Sequence, residues 1–152
     1  MRLASEISVR SVTVHGDQPP LSEICVNSVA TGQQVDGAVL ESAVECDGRY
    51  LLFLTDDVPG EDQLSIHLVD GQGRLLDSAR IGAMYSTGSF SGLRLQEPNA
   101  VAFRFIGDAD WSVDVFDKAR LQMPFVAEPR GVSRPLGLRR WFRVEGRPAA
   151  GS

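Results

Sequence analysis

Four kinds of residue in this chain could do chemistry, and the densest group comes first. GDADWSVDVFD (107–117) places Asp108, Asp110, Asp114 and Asp117 around Trp111. Clustered carboxylates are what a calcium loop or an acid–base pair requires. A calcium loop of the EF-hand type needs oxygen ligands at its first, third and fifth positions, glycine at the sixth and a bidentate glutamate at the twelfth. Counted from Asp108, the fifth position is Ser112, the sixth Val113 and the twelfth Ala119. The pattern fails where the geometry is made, so the stretch reads as a hairpin. With a turn at Asp108-Ala109-Asp110, Phe105 faces Val113, Phe103 faces Val115, and Arg104 pairs with Asp114 across the strands.

YSTGSFSG (85–92) is rich in hydroxyls, but a nucleophile elbow G-x-S-x-G would need serine where Phe90 stands. No phosphate loop is present. The two histidines, His15 and His67, have no local serine, cysteine or aspartate pattern to support a triad. Alternation along LSIHLV (64–69) turns His67 away from the apolar side. Cys25 and Cys46 lack metal-ligand spacing and read as buried free thiols. DDVPGED (56–62) gathers Asp56, Asp57, Glu61 and Asp62 into an acidic loop that could steer a basic partner.

Charge is divided along the chain. Residues 1–129 hold 19 acidic and 9 basic side chains, while residues 130–152 hold six arginines and only Glu145. RGVSR (130–134) resembles the first half of the PilZ cyclic-dinucleotide motif over five residues. The second half, [DN]xSxxG, does not follow, and no family is assigned. An acidic body repels phosphate and argues against nucleic acid. The late arginines are expected to pair with that body and pin the final segment to it.

The elements that must position these residues follow a period of two. VAFRF (101–105), WSVDV (111–115) and LSIHLV all alternate, and turn signals such as Asp47-Gly48 and DGQG (70–73) separate the runs. ISV and VTV (7–14) alternate out of phase, which predicts a bulge near Arg10–Ser11. LSEICVNSVA (21–30) fits helix or strand equally, and FDKARLQM (116–123) could hold one helical turn. The expected fold is a single all-β domain over residues 1–145, an antiparallel β-sandwich, with a closed or partly open barrel as the alternative. Residues 146–152 read as a frayed tail. No run reaches the roughly 18 apolar residues of a membrane helix, and the opening residues turn polar at once, which predicts a cytoplasmic location.

A non-catalytic binding protein is the function class that remains. The expected ligand is another, basic protein, as for an inhibitor, immunity or accessory protein. Asp56, Asp57, Glu61 and Asp62 would recruit it, and Tyr85 and Phe90 would anchor it. The alternatives are a carrier of a small apolar ligand and a metal-dependent or acid–base enzyme. No cofactor and no metal is implied, and the oligomeric state is left open.

Overall fold

The computed structural model describes residues 1–58, 63–82, 89–106, 109–122, 128–137 and 139–147. Every regular element among them is a strand: β1 (Arg2–Leu3), β2 (Ile7–Val12), β3 (Leu21–Val26), β4 (Val29–Asp36), β5 (Val39–Cys46), β6 (Arg49–Thr55), β7 (Leu64–Val69), β8 (Leu75–Ile81), β9 (Ser91–Gln96), β10 (Ala100–Arg104), β11 (Asp110–Leu121), β12 (Val132–Ser133) and β13 (Arg139–Arg147). They form three antiparallel sheets, in the orders β1-β5-β6-β7-β8-β12, β13-β11-β10-β9 and β2-β3-β4. None closes into a barrel, so the sandwich is the architecture and the barrel alternative falls.

The six-stranded sheet lies in the middle. One face carries Leu51, Phe53, Leu64, Ile66 and Leu68 and packs on Val101, Phe103, Trp111, Val113 and Phe142 of the four-stranded sheet. The other face carries Leu52, Leu54 and Val69 and packs on Ile7, Ile24 and Val35 of the three-stranded sheet. Successive residues of a strand point to opposite faces. A strand covered on both faces must therefore be apolar at almost every position, and RYLLFLT of β6 is.

Several local expectations change. LSEICVNSVA is a hairpin of β3 and β4, because Asn27 and Ser28 both take positive φ, 50° and 65°, as a tight hairpin turn demands. FDKAR lies within β11, where Phe116–Ala119 form an irregularity between two stretches paired with β13, the first ending at Val115 and the second starting at Arg120. The bulge near Arg10–Ser11 does not occur; β2 pairs with β3 without a break from Ile7↔Val26 to Val12↔Leu21.

The β10–β11 hairpin keeps its predicted faces but its register slides by four residues. Arg104 stands opposite Asp110, and Asp114 opposite Ala100. Phe105 has left the strand, yet it is wholly buried, and its carbonyl accepts a 2.8 Å hydrogen bond from Trp111 Nε1. Capping that indole lengthens the turn, and a slip by an even number of residues, here four, preserves alternation, so the apolar pattern could not forbid it. Asp108 lies outside the described residues. β13 continues through Gly146 and Arg147, past the expected domain end at 145. A Cβ on Gly146 would come within 2.4 Å of the Trp111 ring, so glycine lets this strand close over the indole.

Candidate functional site

The aspartates of the opening stretch do not converge. Asp110 Oδ1 lies 3.5 Å from Arg104 Nε and 3.8 Å from Arg94 Nη2, while Asp114 Oδ2 accepts a 2.9 Å bond from Arg143 Nη2. Asp117 is exposed. Among the described residues no three His, Cys, Asp or Glu side chains come together as a metal site would require.

The expected partner surface is only partly described. Glu61, Asp62 and Tyr85 lie outside the described residues. Asp57 is exposed, with φ at 59°. Asp56 is turned inward and its Oδ2 sits 2.5 Å from Arg80 Nη2. Phe90 is half-buried, its ring centroid 5.2 Å from that of Phe53 and 5.4 Å from that of Phe103. Phe90 thus belongs to an aromatic trio that seals the edge of the main core.

A cleft that alternation alone did not suggest lies on the opposite face of the central sheet. It encloses about 430 Å³ between β4, β7, β8 and the segment leaving β12, within the range typical of small-ligand sites. Its polar walls are Ser65 and His67 from β7, Ser78 and Arg80 from β8, Asp36 from β4, and Ser133 and Arg134. Pairing explains the grouping. His67 stands opposite Ser78 and Ser65 opposite Arg80 on adjacent antiparallel strands, so all four side chains share a face.

His67 is only 4% exposed, which corrects its expected outward position. Alternation did turn it away from the main core, but the second face is also covered, by β4. The turn into β5 needs glycine here: Gly37 has φ at 124°, and a Cβ on it would come within 2.5 Å of Leu54. This tight return sets the Asp36 carbonyl 2.9 Å from His67 Nε2. A carbonyl can only accept, so Nε2 carries the hydrogen. Nδ1 then holds the lone pair, and the Ser78 hydroxyl donates to it at 2.7 Å. Burial pushes the imidazole below its ordinary value and Arg80 adds to this, while the Asp36 carbonyl pulls the other way. Burial thus favours the neutral ring, whose basic nitrogen, Nδ1, accepts from Ser78.

Charges around the cleft are answered within the chain. Arg80 donates to Gln63 Oε1 and Asp56 Oδ2, and its Nη1 lies 3.8 Å from Asp36 Oδ2. Arg134 donates to the carbonyls of Ser78 and Phe142 and, at 2.6 Å, to Asp77 Oδ2. Asp77 also accepts from the Trp141 and Ser78 amides. This buried knot fastens the arginine-rich end to the acidic body, as the charge division led us to expect. Ser65 differs from these groups. The residue is 1% exposed, and its Oγ has no hydrogen-bond partner among the described residues. No family model, no curated protein and no solved structure matches this chain.

Proposed function

We propose that the chain is a binding protein whose ligand sits in the cleft beside β7 and β8, and that this ligand is a small neutral molecule rich in hydrogen-bonding groups. The observation that carries the reading is the Ser65 hydroxyl, buried and unpartnered on the cleft wall. A buried polar group without a partner costs about 1–3 kcal/mol, and a ligand atom that satisfies it recovers that cost. Neutrality follows from the arginines. Arg80 and Arg134 already hold Asp56 and Asp77, so an anion or cation entering the cleft would have to break buried ion pairs. Ser65 can donate or accept, and Ser78 keeps acceptor capacity after donating to His67.

The test is calorimetric titration with glucose, N-acetylglucosamine and acetamide, alongside gluconate and glucose 6-phosphate at the same concentrations. Saturable binding of a neutral probe, weakened about tenfold by Ser65→Ala, is the expected result, since one lost hydrogen bond of about 1.4 kcal/mol has that effect. Tighter binding of the charged probes would overturn the reading.

Recognition of a basic protein is the second reading. It is favoured by Asp57, which is exposed, and by its chain neighbour Val58, which is 43% exposed. Charge removal by Asp57→Asn should slow association with a basic partner and flatten its salt dependence.

A further inference from the structure

We infer that Ser78 is an activated nucleophile and that the cleft accepts carboxylic esters of hydroxylated molecules, transferring the acyl group to Ser78 and then to water. The inference rests on the cleft being a ligand site, and it goes beyond binding. Three observations combine. The Ser78 hydroxyl already donates to His67 Nδ1 at 2.7 Å. The Asp36 carbonyl, 2.9 Å from Nε2, fixes the tautomer that leaves Nδ1 basic. Ser78 and the unpartnered Ser65 both line the cleft. Nucleophile, base and orienting group are the parts of a serine acyl-transfer site, recognised by geometry and not by sequence order.

Ser65 supplies the missing fourth part. It lies two residues from His67 on the same face and diagonal to Ser78 across the strand pair. Diagonal neighbours are about 7–8 Å apart, which leaves room for an ester carbonyl between the two hydroxyls. The carbonyl carbon faces Ser78 and the carbonyl oxygen faces the Ser65 hydroxyl, a fixed donor for the charge that develops there.

In the first step Ser78 Oγ forms a bond to the acyl carbon and its proton passes to His67 Nδ1. Collapse of the tetrahedral adduct breaks the carbon–oxygen bond to the alcohol, which takes the proton from Nδ1. In the second step His67 Nδ1 takes a proton from water as the water oxygen attacks the acyl carbon. Ser78 leaves and recovers that proton. The balance is ester plus water to acid plus alcohol. A backbone carbonyl holds the ring but carries no full charge to stabilise the imidazolium, so both steps are slow; with an activated ester, whose alcohol leaves without needing the proton, acylation outruns deacylation and the acyl-enzyme accumulates.

Incubation of the full chain with a fluorophosphonate probe, then with p-nitrophenyl acetate, tests this, with the adduct located by peptide mass spectrometry. One equivalent on Ser78 is expected, with a burst of nitrophenol. Ser78→Ala abolishes both while still unfolding cooperatively in urea. His67→Asn slows labelling about 10²–10⁴-fold, the usual contribution of a general base. If His67→Asn fails to fold, Ser78→Cys replaces it: the new thiol should react with iodoacetamide faster at neutral pH than Cys25 or Cys46, both buried. A folded protein with no label at Ser78, or one labelled equally fast without His67, overturns the proposal. Binding of neutral probes with no labelling would sink this inference and leave the binding reading standing. Labelling without any neutral-probe binding would do the reverse.

Discussion

Strand β7 faces two different environments within six residues. Leu64, Ile66 and Leu68 enter a dry cluster with Phe53, Phe103, Phe105 and Phe142. Ser65 and His67, between them, meet Ser78, Arg80 and the end of β4 around a cleft. The backbone is the same, so the difference comes from what lies above each face. A four-stranded sheet with large aromatic side chains seals the first. Over the second, the three-stranded sheet seals only the part near Leu52, Leu54 and Val69. One face is built for stability, and the other leaves hydrogen-bonding groups beside a space. Substitutions on the two faces should therefore differ in size and, at one position, in sign.

The largest effect is expected where the cleft wall is bolted to the end of the chain. Asp77→Ala leaves the Arg134 guanidinium, 3% exposed, with only the more distant Glu128 carboxylate at 3.9 Å, and strips an acceptor from the Trp141 amide. Breaking a buried pair from one side costs about 3–5 kcal/mol. Urea unfolding of Asp77→Ala should show this, and adding Arg134→Met should recover part of it. No recovery in the double variant would mean that the loss comes from the amide contacts and not from the stranded charge.

On the dry face, Phe103→Ala should cost about 3–5 kcal/mol through the cavity it leaves. Phe103 is wholly buried and its ring lies 5.2 Å from Phe53. A loss under about 1 kcal/mol would mean that Phe90 and its neighbours collapse into the space and that this face is less rigid than its packing suggests.

The dry face was legible in the sequence and the cleft was not, for separate physical reasons. Alternation identified Phe103, Val113 and Val115 as core because a period of two survives a four-residue slip of the hairpin. The same insensitivity misplaced Arg104 against Asp114. Pairing of His67 with Ser78 depends on a count through the DGQG turn. There the register shifts between Leu68 and Val69, where Val69 pairs with Leu75 but Leu68 with Asp77. Counting back from Val69↔Leu75 without the shift would set His67 against Asp77, on the wrong face. The third layer was also invisible, since a polar residue alternating with leucines reads as solvent-facing unless another sheet is known to cover it. The apolar run of β6 was the available signal, because a strand without polar positions must be covered twice.

A third test concerns pH and separates the faces by charge. His67 is held below its ordinary value, so above about pH 6.5 it is neutral in both folded and unfolded chains, and stability is full. As pH falls below that, the unfolded chain takes up the proton first and stability drops until the folded value is reached. Urea midpoints between pH 7.5 and 5 should fall, and His67→Gln should flatten the slope. Carboxylates held low by arginines act further down; Glu6, bonded by Arg2, is pushed to about 2. An unchanged slope in His67→Gln would mean that another group carries the dependence.

The smallest effect is the most discriminating, because its sign should be opposite to the others. Ser65→Ala removes the one buried hydroxyl on the cleft wall that has no partner among the described residues. The wild-type chain bears the desolvation of that group, so the variant should be more stable, by about 1 kcal/mol at the low end of the penalty for an unsatisfied polar atom. Phe103→Ala, of comparable burial, should move the midpoint the other way and several times as far. Stability gained at a position that serves a ligand is the usual mark of a functional group. Neutral-probe affinity and Ser78 labelling should both fall in the same variant. A destabilised Ser65→Ala would show that the hydroxyl is satisfied in solution, by a bound water or a nearby segment. The cleft would then be a packed polar wall of the sandwich, and its contrast with the dry face would be one of composition alone.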